Sequence, residues 1–133
     1  MRLNSLATKG KNAGWREIAG KRIYARSKWE ANYARYLQFQ IEQGWIKEWE
    51  HEPKTFWFEE IKRGVRSYLP DFLALQLDGK HYWVEVKGYM DDKSKTKLAR
   101  FKRFYPDEHL IVVSGPWFAK NNRNLKMIIK DWE

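Results

Sequence analysis

Cysteine is absent from this chain of 133 residues, which excludes disulfide cross-links and thiolate-bound zinc alike. No apolar run approaches the roughly 20 residues that a membrane-spanning helix needs, and the basic N-terminus lacks the apolar stretch of a secretory leader. The expectation is a protein of the reducing cytoplasm with no membrane span. Acidic residues are the minority sign, 17 against 26 Lys and Arg, so the net charge is +9 and the isoelectric point about 9.7. Such a surplus points to a polyanionic partner. Nucleic acid is the first candidate. An anionic membrane surface fits less well, because it calls for a basic helix with a continuous apolar face, and no segment has that pattern. Aromatic residues are plentiful, 17% of the chain with eight Trp, which excludes a merely disordered basic tail. At this length one modest core forms and a second has no room.

Residues 1–26 carry Arg2, Lys9, Lys11, Arg16, Lys21, Arg22 and Arg26 against Glu17 alone, with little periodicity. They read as a mobile basic arm, leaving 27–133 as the folded domain. Ser27 suits a helix start, since its hydroxyl can accept from the first free amides. The helix is expected to run to about Gln43, with Trp29, Tyr33, Tyr36, Leu37 and Ile41 on one side and Gly44 as its stop. Strands are expected over 45–53 and 55–59, divided by Pro53, and again over 68–76 and 80–86. A second helix is expected from about Ser94 to Tyr105, because Leu98, Phe101 and Tyr105 recur at helical spacing and Pro106 forbids continuation. The run His109 to Ser114 suits a strand buried on both faces, and Leu125, Ile128, Ile129 and Trp132 fit a last helix or a strand. The order of elements gives an α/β fold, a mixed four- or five-stranded sheet flanked by helices.

Two acids and a lysine stand out within this frame. Tyr68-Leu69-Pro70-Asp71-Phe72 precedes a hairpin whose return strand reads Val84-Glu85-Val86-Lys87-Gly88. Strand side chains alternate between faces, so Glu85 and Lys87 project from the same side. A three-residue loop, Leu77-Asp78-Gly79 with Gly79 left-handed, sets Asp71 directly across from Glu85, whereas a two-residue loop at Asp78-Gly79 misaligns them. Either acid alone reads most simply as a solvated turn or surface pair. Together, among Leu69, Phe72, Leu73, Trp83 and Val84, they are expected to be buried, which is costly without a cation.

Pro70-Asp71 followed by Glu85-Val86-Lys87 resembles the signature of the PD-(D/E)XK nuclease superfamily, and Ser27-Lys28-Trp29-Glu30-Ala31 has the form of its upstream helix glutamate. Within the superfamily the chain most resembles the phage-type endonuclease I enzymes, which resolve Holliday junctions. That likeness lies in Glu30, Glu50-His51-Glu52, the two acid segments, the lysine-rich helix and the strand Leu110-Ile111-Val112-Val113-Ser114, and it covers roughly residues 27–115. The resemblance implies a restriction-endonuclease-like core and a Mg²⁺-dependent DNA endonuclease, with Mn²⁺ able to substitute. It implies Asp71, Glu85 and the Val86 carbonyl as metal ligands and Glu30 and Lys87 as further catalytic groups. A homodimer is implied as well, because cutting two strands symmetrically needs two active sites. If phage-encoded, the protein would work in the bacterial host cytoplasm. The rivals are a sequence-specific nicking or homing-type nuclease on the same fold and a non-catalytic nucleic-acid-binding module; charge does not exclude RNA.

Other residues have plainer readings beside the functional ones. Ser27-x-x-Glu30 is also a capping box, in which the glutamate merely returns to the Ser27 amide, and spacing by itself favours that role. His51 between two glutamates reads as an exposed strand residue. Lys95, Lys97, Arg100, Lys102 and Arg103 form a cationic helix face that, with Lys9, Lys11, Arg16, Lys21, Arg22 and Arg26, is expected to grip DNA phosphates. Trp15, Trp29, Trp45, Trp49 and Trp57 are expected mostly in core or hairpin packing, with stacking on an unpaired base the alternative for one of them.

Overall fold

The computed structural model of the chain describes residues 12–133; Lys9 and Lys11 lie outside them. Its first elements are two strands, β1 (Gly14–Ile18) and β2 (Lys21–Ala25), paired antiparallel. Ala19 and Gly20, both at positive φ (51° and 81°), make the two-residue turn that matches strand twist. Ile18, Ile23 and Ala25 are buried, the first two in the main core. This corrects the expectation of a mobile arm over residues 1–26: from Gly14 onward the segment is an anchored hairpin.

Helix α1 (Lys28–Glu42) starts where expected. Ser27 is extended (φ −156°, ψ 166°), and its hydroxyl accepts from the Glu30 N–H at 3.2 Å. The helix stops because Gly44 takes a left-handed turn (φ 77°), with its N–H donating to the Ile41 carbonyl and that of Trp45 to the Gln40 carbonyl. Trp45 then closes on Phe39 with ring centroids 5.8 Å apart, completing a Schellman stop with its apolar contact.

Four strands form the central sheet in the order β3 (Ile46–His51), β6 (Phe72–Gln76), β7 (His81–Val86), β8 (Leu110–Val113). The first two pairings are antiparallel and the last is parallel, with α2 (Asp92–Phe104) as the crossover. The fold is thus α/β with a mixed four-stranded sheet. The expected strand at 55–59 shrinks to β4 (Phe56–Trp57), which pairs with β5 (Ser67–Tyr68) in a separate ribbon. The last element, α3 (Gly115–Ile128), opens with a proline in its first turn, a placement that costs no hydrogen bond. It starts well before Leu125 and ends before Ile129 and Trp132, which pack with Leu125 against Tyr36, Phe39 and Trp117.

Both faces of the sheet are covered. Trp49, Phe72, Ala74, Val84 and Val113 join Tyr33 and Leu37 of α1 on one side, while Trp83 meets Phe56, Phe58, Tyr68 and Phe101 on the other. The acids of β6 and β7 therefore end up beneath the second cluster rather than on an open surface.

Arg16 illustrates how the hairpin is held. Its guanidinium donates to the Glu133 carboxylate at 2.6 and 2.8 Å, Arg35 joins at 2.9 Å, and the Glu133 backbone exchanges two 2.9 Å hydrogen bonds with the buried Asn32 side chain. The Arg16 hydrogen bond, before all else, holds the Glu133 carboxyl below its ordinary range. Arg16→Ala is expected to lower the melting temperature and leave the salt dependence of nucleic-acid binding unchanged. A flattened salt slope at unchanged stability would restore Arg16 to the phosphate-binding set.

Candidate metal-dependent active site

Hairpin register does most of the work of assembly. The β6–β7 ladder pairs Phe72 with Val84 and Leu73 with Trp83. The turn is the three-residue loop, closed by the Gln76 N–H to the Lys80 carbonyl at 2.7 Å, with Gly79 at φ 89°. One step further along that register, Asp71 stands opposite Glu85. The Val86 N–H donates to Asp71 Oδ2 at 2.7 Å, and the Tyr68 hydroxyl donates to Glu85 Oε1 at 2.6 Å. Lys87 emerges two residues past Glu85 as β7 ends, its N–H bonded to the Val113 carbonyl of β8.

The start of α1 brings Glu30 to the same place. Its carboxylate accepts from the Arg26 N–H at 3.2 Å and meets His51 Nε2 at 2.6 Å, so the capping role falls to Ser27 alone and the glutamate side chain faces the acids. His51 is half-buried, its side chain against Glu30 and its ring tilted at 54° to that of Phe72 with centroids 5.3 Å apart, which corrects the expectation of an exposed strand residue. Glu52, at positive φ (48°), turns back into the cluster as β3 ends. One donor atom from each of Glu30, His51 and Glu52 lies within 4.8 Å of the others. Glu30, Tyr68, Asp71, Glu85, Val86, Lys87 and Lys97 line one cleft of about 380 Å³.

Electrostatics set the acids of the cleft against burial and against one another. Asp71 is 5% exposed. Its burial, followed by the charges of Glu85 and Glu30, pushes its pKa well above the ordinary carboxylate value against the pull of the Val86 N–H and Arg26. Burial also raises Glu85, opposed by the Tyr68 hydrogen bond and the charges of Lys87 and Lys97. Burial, then the Glu85 charge, pushes the Tyr68 hydroxyl far up, so it serves as a fixed donor. Arg26, Lys87 and Lys97 all line the cleft, and it is the Arg26 guanidinium that forms ion pairs with the acids, 2.6 Å from Glu52 and 3.7 Å from both Glu30 and Asp71. None of these is an aligned bidentate pair: Glu52 Oε2 is buried with no well-directed donor despite its close guanidinium neighbour. Hard carboxylate oxygens around one cleft fit Mg²⁺ or Mn²⁺, which take one or two protein carboxylates and keep several waters. Asp71 and Glu85 could hold such an ion from one side of the cleft, and Glu30, His51 and Glu52 offer donor atoms on the other.

The basic residues expected to bind nucleic acid divide. Arg16 is engaged by Glu133; Lys21 reaches Glu48 at 2.9 Å and the Trp49 carbonyl. Arg100 donates to the Val65 carbonyl, tying α2 to the loop before β5. These three are structural. Lys95 is exposed, Lys97 lines the cleft, Arg22 covers Trp15, and Arg26 sits among the acids. Sequence reasoning missed Arg26, Glu52 and Tyr68 as parts of the site. Tyr68 and Glu52 flank segments already singled out, but only the β4–β5 ribbon and the backbone turn at Glu52 aim them inward.

No curated protein and no solved structure matches the chain. A protein-family model matches residues 12–123, a span that takes in the hairpin and every residue of the cleft. The chain belongs to the family described as Protein of unknown function (DUF1064).

Proposed function

We propose that this protein is a Mg²⁺-dependent endodeoxyribonuclease of the PD-(D/E)XK type, its sheet and flanking helices forming a restriction-endonuclease-like core. The observation that carries the reading is the facing pair Asp71–Glu85, the first buried and the second half-buried, raised together above the ordinary carboxylate range by burial although Arg26, Lys87 and Lys97 stand near. A purely structural acid pair gains nothing from such a position, because like charges out of water repel and destabilise the fold. When bound, the metal ion supplies charge neutralisation at the phosphate and an acidified water. The chain supplies the rest. Tyr68 and the Val86 N–H fix the two carboxylates, which holds their geometry before substrate arrives. Lys87, a compact ammonium on the same face as Glu85, orients the attacking water and offsets charge building on the phosphate. Lys97 across the cleft adds a second positive contact for the scissile phosphate.

The resemblance to junction-resolving enzymes extends the proposal to branched DNA cut by a homodimer. Light scattering and competition between a four-way junction and matched linear duplex test that extension; a monomer that cuts duplex as readily favours the nicking or homing-type reading. The core proposal is tested with supercoiled plasmid, branched DNA, linear duplex and RNA, each with and without metal. Mg²⁺ and Mn²⁺ are expected to support cutting, and Ca²⁺, content with looser geometry, to support binding only. Undiminished cutting in excess chelator would overturn the mechanism, and tight binding with no cutting under any metal would leave the binding-module reading.

A further inference from the structure

The β1–β2 hairpin buries one face and leaves the other bare. Ile18, Ile23 and Ala25 point inward, so alternation sends Trp15, Glu17, Arg22 and Tyr24 outward. Trp15 and Tyr24 are cross-strand partners, meeting edge to face with centroids 5.4 Å apart. The Arg22 guanidinium lies 4.4 Å from the Trp15 ring centroid. The indole nevertheless remains 58% exposed and the Tyr24 ring 44%. An aromatic pair gains nothing in stability from that exposure; Trp45, Trp57 and Tyr89 are exposed as well, and what sets Trp15 and Tyr24 apart is that two exposed rings meet as a pair.

Position gives the pair its meaning. Tyr24 lies two residues before Arg26, whose guanidinium reaches the carboxylate cleft. The aromatic end of the hairpin is therefore the end nearest the site, and the turn at Ala19-Gly20 is the far end. The platform is also rigid, since Arg16 is pinned by Glu133 and Lys21 by Glu48 and Trp49. With the Arg22 guanidinium over one face of the indole, the exposed remainder of the aromatic pair suits a stacked nucleobase with its phosphate on the arginine. Glu17 is the one acid on this face and pairs across the ladder with Arg22. The remaining charges on the approach, Arg22 and Arg26, attract an anion.

We infer that the outer face of this hairpin, Trp15 and Tyr24 with Arg22, binds unpaired nucleotides of the DNA strand that enters the cleft. The inference rests on the nuclease reading for its substrate but not for its test. Binding of fluorescently labelled oligothymidylate, and of a blunt duplex of matched length, is measured by anisotropy in chelator, so that no cleavage enters. Trp15→Leu with Tyr24→Leu keeps an apolar ladder and removes the π-faces. This variant is expected to lose about tenfold or more in affinity for the single strand, with duplex affinity and melting temperature unchanged, while Trp15→Tyr retains binding. Equal loss on both DNAs, no loss, or a wild-type protein that does not bind the single strand would overturn it. So would a shift from dimer to monomer in light scattering of the variant, which would assign the face to a second copy. Cleavage assays on the same preparations separate the two readings: a protein that never cuts yet loses single-strand binding keeps the platform, and one that cuts with an indifferent platform keeps only the nuclease.

Discussion

Glu85→Gln, Asp71→Asn and Lys87→Ala are each expected to reduce DNA cleavage by about two to three orders of magnitude while leaving DNA binding in Ca²⁺ intact. The size follows from what each removes. Glu85→Gln and Asp71→Asn take a charged oxygen from the pair best placed to hold a metal ion, without changing side-chain volume. Lys87→Ala removes the ammonium that faces the water and phosphate. The groups act as a unit, so the double variant Asp71→Asn with Glu85→Gln is expected to be little worse than either alone. Lys97→Ala, one contact among several on the phosphate, is expected to cost less. Plasmid nicking under single-turnover conditions reads all of these directly. Cutting at the wild-type rate by the three single variants would overturn the site, whatever becomes of the fold.

The parts of this molecule legible from sequence are those where local chemistry and tertiary structure agree. Ser27 and Gly44 bound α1 because a cap hydroxyl and a left-handed glycine impose the same ends in any context. Gly79 allowed a three-residue hairpin, but a two-residue loop fitted the same residues, and the Asp71–Glu85 register was legible only because the two acids make chemical sense when they face each other. Charge and periodicity misled where a few buried residues outweigh many exposed ones. The segment 14–25 reads as a basic arm because its cations dominate, yet Ile18, Ile23 and Ala25 at alternate positions are what fasten it. Arg16 and Lys21 looked like phosphate ligands because nothing local shows that Glu133 and Glu48 meet them from far along the chain. His51 failed similarly: its partner Glu30 is on another element, and the two meet only once α1 packs on β3.

Adding Mg²⁺ is expected to raise the melting temperature strongly at pH 8 and hardly at pH 5, and Asp71→Asn is expected to melt several degrees above wild type in chelator at pH 8. Both follow from carboxyl groups whose folded pKa is raised. Such a group binds its proton more tightly when folded, so its contribution is fully present below the unfolded value, about 4. That contribution is lost as pH rises through the folded value. Asp71 and Glu85 both have this sign, Asp71 from burial and then the charges of Glu85 and Glu30, and Glu85 from burial against the pull of the Tyr68 hydrogen bond and of Lys87 and Lys97. The metal-free fold therefore weakens as pH rises above about 4 and through the raised folded values. Glu48, Glu108 and Glu133, held below the ordinary value, act oppositely and matter only in more acidic solution. A metal ion bound to the ionised pair adds its binding free energy to the folded state and competes with protons for the same oxygens, so its effect grows with pH. Asp71→Asn keeps an oxygen to accept from the Val86 N–H and discards the charge, relieving Glu85 and Glu30 without a metal. The same substitution that abolishes cutting should thus stabilise the metal-free protein, a trade expected where a fold keeps strained charge for catalysis. Thermal melts of both proteins at the two pH values, with chelator and with Mg²⁺, check this. An Asp71→Asn protein that melts lower at pH 8 would mean that Arg26 already satisfies Asp71, and that the acid pair is structural.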